Sequence, residues 1–166
     1  MATATTYLIA LGSNRPSRHG GPATTLAAAF AALPGRVNAR SPVLSSAPIG
    51  PSLRRYANAA ALIESDLAPP AMLAALKAVE RDFGRRRGRR WGARTLDLDI
   101  VLWRGGRWRT RTLTIPHRAF RSRHFVLTPA AAIAPDWRDP VTGLTLRQLR
   151  ARLTARRSIP RSAHRW

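Results

Sequence analysis

Thr95-Leu-Asp-Leu-Asp-Ile-Val-Leu-Trp103 is the stretch from which the rest of the chain is read. A strand turns successive side chains to opposite faces, so Leu96, Leu98 and Ile100 share one face while Asp97 and Asp99 share the other. Acid is scarce, 8 Asp+Glu against 29 Lys+Arg for a net charge of +21, yet two of the acids stand side by side on one face. Neighbouring like charges repel, and their joint ionisation asks for a compensating cation. Magnesium suits such a pair, because it takes oxygen ligands, keeps several waters and binds one or two carboxylates together with substrate phosphates. A solvated polar face on an edge strand would carry the same triplet, and Asp-x-Asp alone does not choose between them.

Working outward, residues 5 to 11 form an apolar run ended by Gly12-Ser13-Asn14, a buried strand followed by a turn. Residues 15 to 22 read as a loop. Pro22 to Leu33 has Leu26, Phe30 and Leu33 at helical spacing, a proline suited to the first turn, and Pro34-Gly35 to stop it. Val37 to Ser45 reads as a second strand, irregular at Pro42, and Ala47-Pro-Ile-Gly-Pro51 as non-regular chain. Tyr56 to Glu64 reads as a third strand despite its alanines. Pro69-Pro70 opens a helix carrying Met72, Leu73, Leu76, Val79, Glu80 and Phe83 at 3-4 spacing, and Gly84 ends it. After the fourth strand, Arg104-Gly-Gly-Arg107 predicts a hairpin turn into Trp108. Leu113 to Pro116 reads as extended, Arg118 to Ala134 as a helix interrupted at Pro129, and Leu144 to Leu153 as a last helix. Strand-helix-strand-strand-helix-strand is the order of a ferredoxin-like α+β sandwich, an antiparallel sheet with helices packed on it, here with a C-terminal helical extension. The 166 residues, 45% hydrophobic, suit one domain, placed at 1–155, followed by a basic tail at 156–166.

The absence of cysteine leaves no disulfide framework and no thiolate chemistry. No run approaches the ~18 apolar residues of a membrane span, and no signal segment opens the chain. A cytoplasmic location is expected. The basic excess, almost all arginine because Lys77 is the only lysine, raises nucleic acid, anionic membrane and phosphorylated small molecules together. Compositional bias at exposed positions would produce it as well.

Three further groups bear on chemistry. Arg85, Arg87, Arg89 and Arg90 lie beside Trp91 and Arg94; forked guanidinium groups hold phosphate oxygens and an indole offers a face to a planar base, although an RNA patch would share that composition. His117 stands near Arg118, Arg121, Arg123 and His124 without the spacing of a zinc site. Tyr56 and Asn58 share one face of their strand, where ring and amide suit a flat heterocycle or an ordinary core. Neither a Gly-x-x-x-x-Gly-Lys-Ser/Thr loop nor Gly-x-Gly-x-x-Gly is present.

Ala10-Leu-Gly-Ser-Asn14, Ser46-Ala-Pro-Ile-Gly-Pro51 with Tyr56-Ala-Asn58, Arg90-Trp-Gly-Ala-Arg-Thr-Leu-Asp-Leu-Asp-Ile100 and Leu113-Thr-Ile-Pro-His117 through Phe125 together resemble the 6-hydroxymethyl-7,8-dihydropterin pyrophosphokinase family of folate biosynthesis. The resemblance implies a ferredoxin-like fold and transfer of the pyrophosphoryl group of ATP to the pterin's hydroxymethyl oxygen, leaving AMP. By position it implies Asp97 and Asp99 as ligands of two magnesium ions, and Glu80, Arg85, Arg87, Trp91, Arg94, Ile100, Thr114, His117 and Arg123 as the ATP contacts. Arg85 and Arg87 would close over the phosphates. Tyr56 and Phe125 would sandwich the pterin, Trp91 would border it, and Asn58, Ser46 and the Pro48-Ile49 backbone would read its polar edges. The partners implied are small molecules, with no obligate nucleic acid and no membrane, and the chain is expected to act as a monomer. Ala47, Lys77, Thr112 and Arg118 depart from the family pattern, and the loop Arg15 to Pro22 with His19-Gly-Gly21 leaves room for a modified pterin. A diverged paralogue acting on a related pterin remains an alternative. So does a nucleic-acid module, which gives no reason for two aspartates beside an arginine surface.

Overall fold

The computed structural model describes residues 3–46, 55–84 and 95–157. β1 (Thr5–Ser13), α1 (Pro22–Ala32), β2 (Arg36–Arg40), β3 (Leu44–Ser46), β4 (Tyr56–Ser65), α2 (Pro69–Asp82) and β5 (Asp97–Trp103) are followed by β6 (Trp108–Arg109), β7 (Thr114–Ile115), α3 (His124–Ile133) and α4 (Leu146–Arg157). The sheet runs β2-β4-β1-β5 with β3 also on β4, and each pairing is antiparallel. This is the predicted ferredoxin-like order, with β2 and β3 sharing the place of one strand.

Apolar patterning explains the layers. Tyr7, Ile9, Leu11, Leu98 and Ile100 pack with Leu26 and Phe30 of α1 and Met72 and Leu76 of α2. On the other face Leu8, Ala60 and Leu102 pack with Val126, Leu127 and Ala130 of α3 and Leu146 and Leu149 of α4. Burying one such leucine contributes about 1.5–3 kcal/mol. β4 lies between β1 and the β2/β3 pair with helices on both sides, and its run of Ala57, Ala59, Ala60 and Ala61 is fully buried. Small side chains there are a packing requirement, which explains a strand built from poor strand formers. Pro22 and Pro69 stand in the first turns of α1 and α2, and Gly84 follows α2 at φ +97.

Four expectations are corrected. The second strand is two strands, because Pro42 has no N–H to give and Ser41 takes over the pairing. Ser41 N–H donates to the Ala60 carbonyl at 2.9 Å, and its Oγ accepts from Ala60 N–H at 2.8 Å. The turn at 104–107 forms, with Gly106 N–H donating to the Trp103 carbonyl at 3.0 Å, but β6 pairs with β7. The outer edge of β5 is already occupied, by Glu80 at Leu98 N–H and by His117 N–H at the Val101 carbonyl. The break in the 118–134 segment falls at Arg123, between a 3-10 turn at Phe120–Ser122 and α3, which runs straight through Pro129. Proline forfeits only its own bond in that helix, and Pro129 is buried with Val126, Leu127 and Ala130. Finally, the last helix, α4, runs over Leu146–Arg157 and not over Leu144 to Leu153.

β5 carries one irregularity. Leu8 pairs with Leu102 and Ile9 with Ile100, so Val101 is an extra residue. It turns Leu102 toward α3 and α4 and sends Trp103 back to stack on Tyr7, 6.4 Å between ring centroids. Among the described residues no helix is long and apolar enough to cross a membrane.

Candidate active site

Register assembles the site. Gly12 pairs with Asn58 on one side and Asp97 on the other, and Ala10 pairs with Ala60 and Asp99. Directly opposed residues share a face, so Asn58, Gly12 and Asp97 form one row across three strands and Asp99 begins the next. The alternation expected for Asp97 and Asp99 holds, since Leu96, Leu98 and Ile100 are all buried in the opposite layer. Tyr56 lies two residues before Asn58 on β4 and shares its face, as predicted. In the sequence Gly12 stands out only as part of Ala10-Leu-Gly-Ser-Asn14. A Cβ there would stand 3.3 Å from Asn58 Oδ1, so the glycine keeps the floor between amide and carboxylate low.

Asp99 is partly buried, and burial, then the neighbouring Asp97 charge, push its carboxyl above the ordinary aspartate value; His117 and Lys77 act in the opposite direction. Two partly desolvated carboxylates on one face are a donor set that a hard dication would relieve, and all of its atoms are oxygens. The residues present therefore fit magnesium. His117 approaches this pair, with Nε2 3.9 Å from Asp99 Oδ2. Its Nδ1 accepts from Ala119 N–H at 3.2 Å, which assigns the ring proton to Nε2 in the neutral form. Burial, with help from Arg123, holds the imidazole below its usual pKa against the pull of Asp99. A neutral donor thus points at the carboxylate across a gap too long for a direct hydrogen bond.

Glu80 is a supporting residue in this structure. Fully buried at the end of α2, it accepts from Leu98 N–H at 2.8 Å and from Lys77 Nζ at 3.0 Å through Oε1, tying the helix to β5 between the two aspartates. The Ile100 side chain is in the core on the other face, so what it offers a ligand is its backbone. Thr114 stands on β7 opposite Arg109. Arg123 and Phe125 flank the start of α3, the guanidinium 5.7 Å from the ring centroid, and Phe125 is 49% exposed. Ser46 closes β3 opposite Tyr56, and its side chain lies outside the described residues. Pro48, Ile49, Arg85, Arg87, Trp91 and Arg94 also lie outside them.

Arg121 is committed elsewhere, in a forked pair with the buried Asp139 at 2.7 and 2.8 Å. Burial raises the Asp139 carboxyl, but hydrogen bonds from Arg121, Thr142 and Val141 N–H outweigh it and hold the pKa at about 2. The pair braces the 3-10 turn between His117 and Arg123. Nothing in the local sequence pairs residues so far apart.

The pattern of one family, 7,8-dihydro-6-hydroxymethylpterin-pyrophosphokinase, matches residues 8–135. A Synechocystis 2-amino-4-hydroxy-6-hydroxymethyldihydropteridine pyrophosphokinase is 44% identical over 104 residues, 63% of this chain and 53% of that protein, so the chain spans about half its length. The Methylorubrum extorquens enzyme of the same name is 39% identical over 150 residues, 87% of this chain and 91% of that one. Among solved structures, wild-type Plasmodium falciparum HPPK-DHPS shares the fold at a TM-score of 0.71 and 12% identity, covering 93% of this chain and 45% of that one. By pattern and relatives together, the chain belongs to the 7,8-dihydro-6-hydroxymethylpterin-pyrophosphokinase family.

Proposed function

We propose that the row Asn58-Gly12-Asp97, with Asp99 beside it, is where this chain brings ATP and 6-hydroxymethyl-7,8-dihydropterin together. The hydroxymethyl oxygen attacks the β-phosphorus of ATP, the bond from that phosphorus to the α-phosphate oxygen breaks, and AMP leaves. The observation that carries the reading is that Asp97 and Asp99 share one face of β5, with Asp97 in register with Asn58 across Gly12. Two magnesium ions held by Asp97 and Asp99 supply neutralisation of the triphosphate oxygens when bound.

The chain's own residues position the reactants. His117 Nε2–H, Thr114, Arg123, Arg85, Arg87 and Arg94 bind phosphate oxygens, while Trp91 and the Ile100 backbone meet the nucleotide. Tyr56 and Phe125 hold the pterin ring, bordered by Trp91. Asn58, Ser46 and the Pro48-Ile49 backbone read its edges. The hydroxyl proton passes to Asp97 or to solvent, and no dedicated base is required where positioning and charge neutralisation dominate. Residues 1–155 act as one cytoplasmic pyrophosphokinase domain, monomeric and without obligate nucleic acid; the absence of a membrane-crossing helix among the described residues is compatible with this.

The test is AMP release by the full chain. It should require ATP, magnesium and the reduced pterin together, and Asp99→Ala should lower it by orders of magnitude while far-UV circular dichroism is unchanged. Near-parental turnover by that variant would overturn the assignment, as would salt-sensitive oligonucleotide binding without turnover.

A further inference from the structure

The segment that joins α3 to α4 folds back on itself. Asp139 N–H donates to the Leu144 carbonyl and Gly143 N–H to the Asp139 carbonyl, both at 2.8 Å, with Gly143 at φ +75. Trp137, at its start, is buried in the layer that holds Leu146 and Leu149 of α4. The segment is thereby closed by its own backbone and anchored in the core by one indole.

Three guanidinium groups are held on it. Arg104 lies over the Trp137 ring, 4.1 Å from the centroid. Arg107 Nη2 donates to the Pro140 carbonyl at 3.1 Å, and Arg138 Nη1 to the Gly143 carbonyl at 2.8 Å. These contacts leave most of each fork's five N–H donors unused. Arg104 and Arg138 line a cavity of about 340 Å³ with Trp103, Trp137, Pro140 and Asp136, and Arg107 is tied to one of its walls at Pro140. The acids nearby are engaged elsewhere: Asp139 is turned inward to Arg121, and Asp136 pairs with Arg147 at 3.1 Å. Among the described residues none of the three arginines has a carboxylate partner. Trp103 ends β5, six residues beyond Asp97, which places the cavity about 20 Å along the strand from the carboxylate pair.

We propose that this cavity is an anion site apart from the Asp97–Asp99 face, taking a compact free oxyanion of the pyrophosphate class on the forks of Arg104 and Arg138, with Arg107 at its edge. Exposed arginines normally range through solvent and keep apart from one another. Here an indole face and two backbone carbonyls gather three of them on one short segment, and none of those contacts neutralises a charge. Restraint before binding lowers the entropy lost when a ligand arrives. Several planar forks around one cavity call for several acceptor oxygens, which a phosphate group supplies and a single carboxylate does not.

The test is titration of inorganic pyrophosphate into the full chain in EDTA at low ionic strength, followed by calorimetry and by the indole N–H resonance of Trp137. One equivalent should bind and move that resonance. Arg104→Ala and Arg138→Ala should each weaken binding about tenfold, the loss expected for one charge-assisted forked contact. Both side chains are exposed, so neither change opens the core, and unchanged far-UV circular dichroism checks this. Arg104→Lys keeps the charge without the fork and should fall between the two. Arg40 also stands over a ring, 5.8 Å from that of Phe30, but on the distant strand β2, and Arg40→Ala should leave the affinity unchanged. An equal loss in Arg40→Ala would identify general attraction to a basic chain and overturn the proposal. So would loss of binding in Arg123→Ala with parental affinity in Arg104→Ala, which would put the pyrophosphate at the proposed nucleotide end. A single-stranded oligonucleotide that binds through Arg104 and Arg138 where pyrophosphate does not would equally overturn the free-oxyanion assignment.

Discussion

Truncating Glu80 to alanine removes a side chain that joins the end of α2 to the backbone of β5 between Asp97 and Asp99. Leu98 N–H then loses its acceptor in a buried position, which costs about 1–3 kcal/mol. The lost methylene adds about 0.8 kcal/mol. The Lys77 contact adds little, because Lys77 is one-third exposed and keeps water. A total of about 2–4 kcal/mol follows, which for a chain of this length lowers Tm by roughly 4–15 °C. Glu80→Gln retains an oxygen for Leu98 N–H and gives up the charge assistance of that bond, about 1 kcal/mol. Urea denaturation at constant m-value separates the two variants. Stability of Glu80→Ala within about 0.5 kcal/mol of the parent would show that the helix-to-strand tie contributes nothing and refute the supporting role.

Asp99→Asn should abolish magnesium-dependent turnover and yet raise Tm in EDTA, since burial and Asp97 make its charge costly. With a folded-state pKa above the ordinary value, the parent loses stability as pH rises through that pKa, and the asparagine variant does not; a lower Tm in EDTA would contradict this. Asp139 works in the opposite sense. Its folded pKa of about 2 contributes stability above pH ~4 that disappears as pH falls toward 2. Discounting for screening, Asp139→Asn should flatten the acid limb of the stability curve by about 1–2 kcal/mol, and an unchanged limb in urea titrations at pH 2 to 5 would count against the pair. Phe125→Ala, at a half-exposed ring, should change stability by less than about 0.5 kcal/mol while raising pterin KM roughly tenfold; an unaltered KM would remove Phe125 from the site.

What the sequence makes legible is whatever local periodicity or turn chemistry decides. The alternation through Asp97 and Asp99 is readable because β5 is covered by apolar helices on one face and carries the carboxylates on the other. Tyr56 and Asn58 follow by the same parity, and Pro22, Pro69 and Gly84 mark helix ends through backbone constraints that hold in any context. The remainder depends on partners distant in sequence. Ser41 standing in for Pro42 on β4, Pro129 tolerated by its packing, β6 choosing β7, and Arg121 seized by Asp139 are settled by what lies across space. Glu80 illustrates the same limit within the site: its burial and the bond from Leu98 N–H make it a tie between two elements, which no local pattern announces.

The glycine row acts as a ruler. Asn58 and Asp97 are separated by two strand steps across Gly12, about 9.6 Å at the usual interstrand spacing, so the interval between the proposed pterin end and the proposed triphosphate end is fixed by peptide hydrogen bonding. Side-chain substitution cannot lengthen or shorten that interval. A chain adapting to a bulkier acceptor would have to do so in the loops bordering the sheet, leaving the spacing between its two reactants untouched.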